Sequence, residues 1–206
     1  MGDFNKTAHW DHVYQTKPLE SVSWYQPVPK TSIQLIHELE LPFSAKIIDI
    51  GGGDSLLVDH LLEMGYEDIT VLDISLAAIN RAKERLGHAA ERIQWIVADV
   101  CDFRPNATYD LWHDRAAFHF LTEEKDIASY VEASQRTIAE DGKMILGTFS
   151  DKGPEKCSGL PIKQYTADLL ETTFSPAFRK EKCFHEQHPT PNGSFQDFVF
   201  CRFAKK

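Results

Sequence analysis

Apolar and polar positions along the chain fall into short runs that switch between two periods. Lys46–Ile50, KIIDI, is an apolar run of strand length that stops at three consecutive glycines, Gly51 to Gly53. Asp54 and Ser55 then open an apolar-periodic segment, so the pattern predicts a strand, a tight turn and a helix over Ser55–Met64 that Gly65 closes. The alternation repeats downstream. It predicts a strand Ile69–Leu72 ending in Asp73, a helix Leu76–Leu86 capped by Ser75 and stopped by Gly87, and a strand Ile93–Val97 followed by Ala98 and Asp99. A strand Tyr109–Trp112, a helix Glu123–Ala139, a turn at Glu140-Asp141-Gly142 and a fifth strand Lys143–Thr148 follow. Strands separated by helices imply right-handed crossovers and a parallel sheet.

The two ends depart from this pattern. Upstream, a short helix around His9–Tyr14 and an irregular stretch with Trp24, Tyr25, Pro27 and Pro29 lead to a helix over Thr31–Glu40. Downstream, Ala177–His188 alternates like a strand, Pro189–Gly193 is rich in turn formers, and Phe195–Phe203 reads as a second strand, so the chain closes on an antiparallel hairpin. With 206 residues, 42% of them hydrophobic, there is enough chain for one well-filled core and too little for two. One domain is expected over 1–206: an aromatic N-terminal segment 1–40, a core 41–150, and a substrate loop with the closing hairpin over 151–206.

Charge and cysteine content narrow the partners. The formal net charge is −9 and no run of Lys or Arg is longer than Lys205-Lys206, which argues against a nucleic-acid surface. No secretory pattern and no apolar stretch of about 20 residues occurs, so no membrane span is expected. Met1-Gly2 is not followed by Ser or Thr at position 6, where Lys6 stands, so a myristoyl anchor is not expected either. A soluble, cytoplasmic protein is the expectation; its oligomeric state is left open, with a monomer as the default. Four cysteines, Cys101, Cys157, Cys183 and Cys201, form no C-x-x-C and are expected as free thiols.

The candidate chemistry gathers at the strand ends. Glycines at a strand tip let a ligand approach the main chain, but the third glycine of a dinucleotide fingerprint would fall at Leu56. Asp49, two residues before Gly51, suits a ligand with a positive end and would repel a phosphate. Asp73 is placed to accept from both ribose hydroxyls, and Asp99 ends a third strand-like run. Three acids at three strand ends describe a pocket for a nucleoside without phosphates; the plainer alternative is that they are ordinary helix caps.

On Asp49-Ile50-Gly51-Gly52-Gly53, Asp73 and Ala98-Asp99-Val100, the chain resembles the class I S-adenosylmethionine-dependent methyltransferases over roughly 45–150. The resemblance implies a Rossmann-like, seven-stranded, mostly parallel α/β sheet with helices on both faces and an antiparallel C-terminal hairpin. It also implies S-adenosylmethionine as cofactor, S-adenosylhomocysteine as product, and a small-molecule acceptor. By the same resemblance Asp49, Gly51 and Gly53 would hold the methionine portion, Asp73 with Ile74 the ribose, and Asp99 with Val100 the adenine. Trp24 and Tyr25 would lie in the lid, near the sulfonium, or else simply pack in the core.

The stretch Trp112–Phe120 is crowded with titratable and aromatic residues where a plain connection needs none. Its Asp114-Arg115-Ala116-Ala117 segment, with Tyr130 and Gly153-Pro154, is similar to thiopurine S-methyltransferases, which differ from this chain at the glycine turn. Arg115 would steady an anionic acceptor with Asp114 fixing its guanidinium, or the two would form a structural ion pair. His113 and His119 would take a proton or merely pack; His113 is assigned to the cofactor side and His119 to catalysis. The loop Gly153–Pro161 contributes Cys157 and Ser158 to the same mouth. His185 and His188 are three apart on a strand and point to opposite faces, so no metal site is expected. A methyltransferase acting on a small nucleophile, with a thiol or related soft group preferred, is the leading reading. A protein-lysine methyltransferase, a nicotinamide-dependent reductase and a non-catalytic nucleoside-binding module are the alternatives.

Overall fold

The computed structural model describes residues 4–206, and the Met1-Gly2 motif lies outside the described residues. In chain order the elements are α1 (Lys6–Thr16), α2 (Lys30–His37), β1 (Lys46–Ile50), α3 (Leu57–Glu63), β2 (Asp68–Asp73), α4 (Leu76–Leu86), β3 (Ile93–Val97), β4 (Tyr109–Arg115), α5 (Glu124–Thr137) and β5 (Ile138–Phe149). A two-stranded ribbon, β6 (Lys156–Cys157) and β7 (Leu160–Pro161), precedes α6 (Ala167–Phe174), β8 (Phe178–Pro189) and β9 (Phe195–Lys205). Seven strands form one sheet in the order β3-β2-β1-β4-β5-β9-β8. The first five are parallel, and β9 lies antiparallel between β5 and β8.

The central strands are apolar on both sides because helices cover both sides. Ile48, Trp112 and Met144 point into one core with Tyr130 of α5 and Phe174 of α6; Ile47, Leu111 and Ile145 point into the other with Leu35 of α2 and Leu61 of α3. The chain leaves β1 toward β2 and β3, then returns to the other side of β1 as β4. The carboxyl ends of β1 and β4 therefore diverge at the switch point where open sheets of this kind bind ligands.

Helix α1 is tied to α4 by mutual capping. Asp11 accepts from the Ser75 hydroxyl (2.7 Å) and the Ala77 N–H (3.0 Å) at the start of α4. Arg81 of α4 donates to the Tyr14 and Lys17 carbonyls (2.7 and 2.9 Å) at the end of α1. An acid at a helix start and a cation at a helix end each complement the helix dipole.

Four differences from the sequence expectation have identifiable causes. Strand β4 runs on to Arg115, because pairing with both β1 and β5 carries it past Trp112. The expected Glu140–Gly142 turn survives as an irregularity inside β5: Ile138 lies opposite Tyr109, and the pairing resumes with Lys143 opposite Leu111. Helix α6 was not anticipated; its signals were Thr166, whose hydroxyl caps Leu169 N–H at 3.1 Å, and the buried pair Leu170 and Phe174 at helical spacing. Finally, Cys183 and Cys201 are joined in a disulfide, not free, since the β8–β9 register sets them directly opposite with Cα atoms 4.2 Å apart. Cys101 and Cys157 are free.

The strand pleat also overturns the expected Asp114–Arg115 fork. Neighbours on a strand point to opposite faces, so the two side chains cannot meet. Asp114 is fully buried on the α5 side, where it accepts from Ala117 N–H (2.9 Å), Phe118 N–H (3.3 Å) and the Tyr130 hydroxyl (2.7 Å). Tyr130 in turn accepts from Trp112 Nε1 at 2.8 Å. Asp114 is thus a structural cap for the turn after β4. Burial pushes its carboxyl up to about 6 even though these donors favour the ionised form. Replacing Tyr130 by Phe strands a buried carboxylate oxygen and an indole N–H, and is expected to cost about 3 kcal/mol in urea denaturation. The loss should be larger at pH 8 than at pH 5, where the folded-state carboxyl is already neutral; an equal loss at both would show that Asp114 does not depend on Tyr130.

Candidate active site

The turn after β1 is held open by glycine. Gly51 has φ +63°, and a Cβ there would come within 2.5 Å of the Ala117 Cβ from the turn after β4. Its N–H donates to the Leu72 carbonyl of β2 at 2.7 Å, so the turn is stitched across the switch point. Gly53, also at positive φ, lies beneath Asp73 and the Tyr14 hydroxyl. Asp54, next in sequence and 4% exposed, forms ion pairs with Arg85 and, at 2.9 Å, with Arg81, which bind the turn to α4.

Asp49 lies opposite His113 in the β1–β4 pair, and its Oδ1 is 2.6 Å from His113 Nδ1. His113 is therefore engaged with the carboxylate at the β1 tip. Asp73 ends β2, accepts from Ser75 N–H at 2.7 Å, and is raised to about 7 by burial, with Asp49 and Asp11 adding to the effect. Asp99 caps its own turn by accepting from Cys101 N–H (2.9 Å), and Lys6 of α1 stands 3.8 Å away while donating to Asp126 at 3.1 Å.

Arg115 occupies the α2 side of the sheet, opposite to Asp114. Its Nη1 donates to the Trp24 carbonyl at 3.1 Å and its guanidinium lies 5.0 Å over the Phe198 ring of β9. Its Nη2 is buried without a partner, and burial lowers the group to about 10. The Trp24 segment is tethered a second time, by His188 Nε2 donating to the Ser23 carbonyl at 2.8 Å. His119, expected as a base, is fully buried behind the cleft wall. Its ring stacks on Phe149 (4.3 Å), its Nδ1 accepts from Phe149 N–H (3.3 Å), and burial drives it down to about 3. It supports the Phe149 ring and reaches neither cavity. His185 pairs with Asp197 at 3.0 Å, away from His188.

Two cavities open at the strand ends. The larger, about 920 Å³, is lined by Asp73, Ile74, Asp99 and Val100 on one side and by Trp10, Trp24, Phe120, Phe149, Phe198 and Cys157 on the other. The second, about 550 Å³, holds Asp49, Gly52, Tyr25, Ser32 and His113. Tyr14, Trp24, Gly51 and Arg115 line both and mark where they meet. Of the expected residues, all but Asp114, His119, Gly53 and Ser158 line one cavity or the other. Trp10, Tyr14, Phe149 and Phe198 were missed as site residues: the first two carried a signal in their spacing of four on α1, whereas Phe149 and Phe198 reach the cleft only through the β5–β9 pairing.

These residues fit S-adenosylmethionine. The glycine turn leaves the main chain bare, Asp73 presents a buried acceptor where ribose hydroxyls would donate, Asp99 lies at the far end, and Asp49 with Arg115 offers opposite charges to an amino acid's zwitterion.

Residues 47–142 match the family model of a methyltransferase domain. Among curated relatives, the chain is 31% identical over 148 residues to a malonyl-[acyl-carrier protein] O-methyltransferase of Anoxybacillus flavithermus, a match over 68% of this chain and 55% of that protein. It is 26% identical over 145 residues to the eEF1A lysine and N-terminal methyltransferase of Mus musculus, over 69% of this chain but 20% of that protein. The chain thus spans about half of one relative and a fifth of the other. In fold it is similar to a SAM-dependent methyltransferase from Anabaena variabilis, with TM-score 0.75 and 15% identity over 99% of this chain and 96% of that one. No described helix is long and apolar enough to cross a membrane. The sheet order and the three acids at the strand ends agree with the match to a methyltransferase domain over residues 47–142, and the fold is that of the class I S-adenosylmethionine-dependent methyltransferases.

Proposed function

We propose that the protein transfers the methyl group of S-adenosylmethionine to a small nucleophile, with a thiol as the preferred acceptor. The observation that carries this reading is the make-up of the larger cavity. Its titratable lining groups are Lys6, Tyr14, Asp73, Asp99, Arg115 and Cys157. Asp73 and Asp99 belong to the nucleoside side, Lys6 pairs with Asp99, and the Cys157 thiol is pushed up by burial. Beside the aromatic walls no free base remains. The bound cofactor supplies an electrophilic methyl group, and the chain contributes alignment, exclusion of water and charge at fixed points. A nucleophile that already exists partly as an anion near neutral pH, as a thiol does, needs no more than that.

Arg115 stands where the cavities meet, so its free Nη2 is set to take a carboxylate. Asp49 in the same cavity favours the cofactor's own carboxylate over one on the acceptor, since the two side chains complement both ends of an amino acid. A protein amine is the second reading, favoured by the likeness to the eEF1A methyltransferase.

Release of S-adenosylhomocysteine from a panel of thiols, amines, carboxylates and basic peptides tests the acceptor. Thiols are expected to turn over fastest; turnover on the peptides alone would sink the thiol reading.

Asp73 supplies a second prediction. Ribose hydroxyls donate to its ionised form, so binding S-adenosylhomocysteine releases a proton and affinity should rise between pH 6 and pH 8, by calorimetry. Its folded value, raised from 3.8 to about 7, means that its stability contribution is full below about pH 4 and lost as pH rises through about 7. Asp73→Asn should therefore melt higher than wild type at pH 8 without ligand, with the gap closing toward pH 4, while binding the product more weakly and without pH dependence. A variant that binds as tightly as wild type would remove Asp73 from the site.

The third concerns Arg115→Lys, which keeps the charge but loses the planar fork. It should weaken S-adenosylhomocysteine roughly tenfold, as loss of one charge-assisted hydrogen bond does. Normal product affinity with reduced turnover would move Arg115 to the acceptor.

A further inference from the structure

Beneath the glycine turn, three buried polar side chains from three elements form one chain of hydrogen bonds. Asp49 on β1, His113 on β4 and Ser32 in the first turn of α2 are 3%, 2% and 1% exposed. Asp49 Oδ1 is 2.6 Å from His113 Nδ1, and His113 Nε2 is 2.8 Å from Ser32 Oγ. All three line the smaller cavity, the one that Asp49 shares with Arg115.

The protons in this chain can be counted. A carboxylate only accepts, so Nδ1 carries a hydrogen and donates it to Asp49. Among the described residues the Ser32 hydroxyl makes no other hydrogen bond, so its hydrogen is satisfied when Nε2 accepts it. One tautomer of the ring, with its hydrogen on Nδ1, satisfies both partners at once. The second oxygen of Asp49 lies over the turn, where a Cβ at Gly52 would sit 2.6 Å from Oδ2. One oxygen is thus held by His113 and the other lies against the bare backbone of the glycine turn.

We infer that Ser32 and His113 are positioning residues that hold Asp49 as an oriented anion for the ammonium group of the cofactor's amino-acid end. This rests on the methyltransferase reading above and adds to it a buried support that links α2 to the cofactor. It also gives His113 a role different from proton transfer to the acceptor, since both of its nitrogens are committed away from the aromatic cavity.

Two ligands separate this support from a general structural role. S-adenosylhomocysteine carries the amino-acid end; 5′-methylthioadenosine shares the nucleoside and lacks that end. Both are titrated by calorimetry into the full chain and into His113→Leu, His113→Asn, Ser32→Ala and, as reference, Asp49→Asn. His113→Leu should bind S-adenosylhomocysteine roughly tenfold or more weaker, while 5′-methylthioadenosine changes by less than about twofold. His113→Asn, whose amide can donate from near the place of Nδ1, should recover most of the lost affinity, and Ser32→Ala should fall between. Should His113→Leu fail to fold, Ser32→Ala still tests the inference, because it should weaken S-adenosylhomocysteine more than 5′-methylthioadenosine. Equal weakening of both ligands, or unchanged S-adenosylhomocysteine affinity in folded His113 and Ser32 variants, would overturn the inference. So would covalent labelling of wild-type Ser32 by a fluorophosphonate, because an Asp-His-Ser chain that activates its serine is a nucleophile and not a support. A wild-type chain that binds neither nucleoside would instead overturn the methyltransferase reading itself.

Discussion

A buried carboxylate, Asp54, is the point from which the cofactor side of the molecule is braced. Leaving a charge at 4% exposure is costly unless it is paired, and the two pairs come from one helix, Arg81 and Arg85 of α4. Arg85 also binds Asp59 of α3 at 2.8 Å, so the helices on either side of the glycine turn are clamped by one guanidinium. Arg81 reaches the other way and caps the end of α1. The turn that must stay open for a ligand is thus fixed to the sheet, to two helices and to the N-terminal segment that roofs the cleft. The positive φ at Gly51 is adopted without strain because glycine has no Cβ.

Strand β4 divides its labour between two faces. His113 and Arg115 point to the cavities, whereas Trp112 and Asp114 point into the aromatic core under α5 and α6. Three acidic or basic residues in a row therefore serve two separate purposes. The turn that follows is anchored from below by Asp114 and presents Ala117 and Phe120 above. A catalytic role for every titratable residue in this stretch would have required side chains to leave the core they hold together.

The closing hairpin does more than finish the sheet. Because β9 inserts antiparallel beside β5, Phe198 comes next to Phe149, and its ring carries the Arg115 guanidinium. His188 from β8 ties down the segment that holds Trp24. The aromatic wall of the larger cavity is assembled from α1, β5, β9 and the turn after β4, so its shape depends on the relative placement of parts far apart in the chain.

That division decides what was legible in the residues alone. Lys46–Ile50, Leu76–Leu86 and Ile93–Val97 were found to the residue, because an apolar run bounded by glycine, or a capped periodic segment, is set by local physics. The three acids at the strand ends were legible for the same reason: a strand, its last residue and the turn after it are contiguous. The state of Asp114 and His119, the disulfide and the aromatic wall were not. A titratable residue reads the same in sequence whether it faces a cleft or a core, and only the pleat of β4 and the packing of Phe149 separated the two. Cysteines 18 residues apart give no hint of a bond until a register places them opposite each other. The amino-acid sequence by itself determined the order of strands and helices as far as β5, the closing hairpin and the acids at the strand ends, since these rest on near-neighbour periodicity and turn chemistry. The tertiary structure alone decided which side chains share a face, what holds Asp49 in place and what walls the larger cavity, because those follow from contacts between segments that the chain brings together only when the sheet closes.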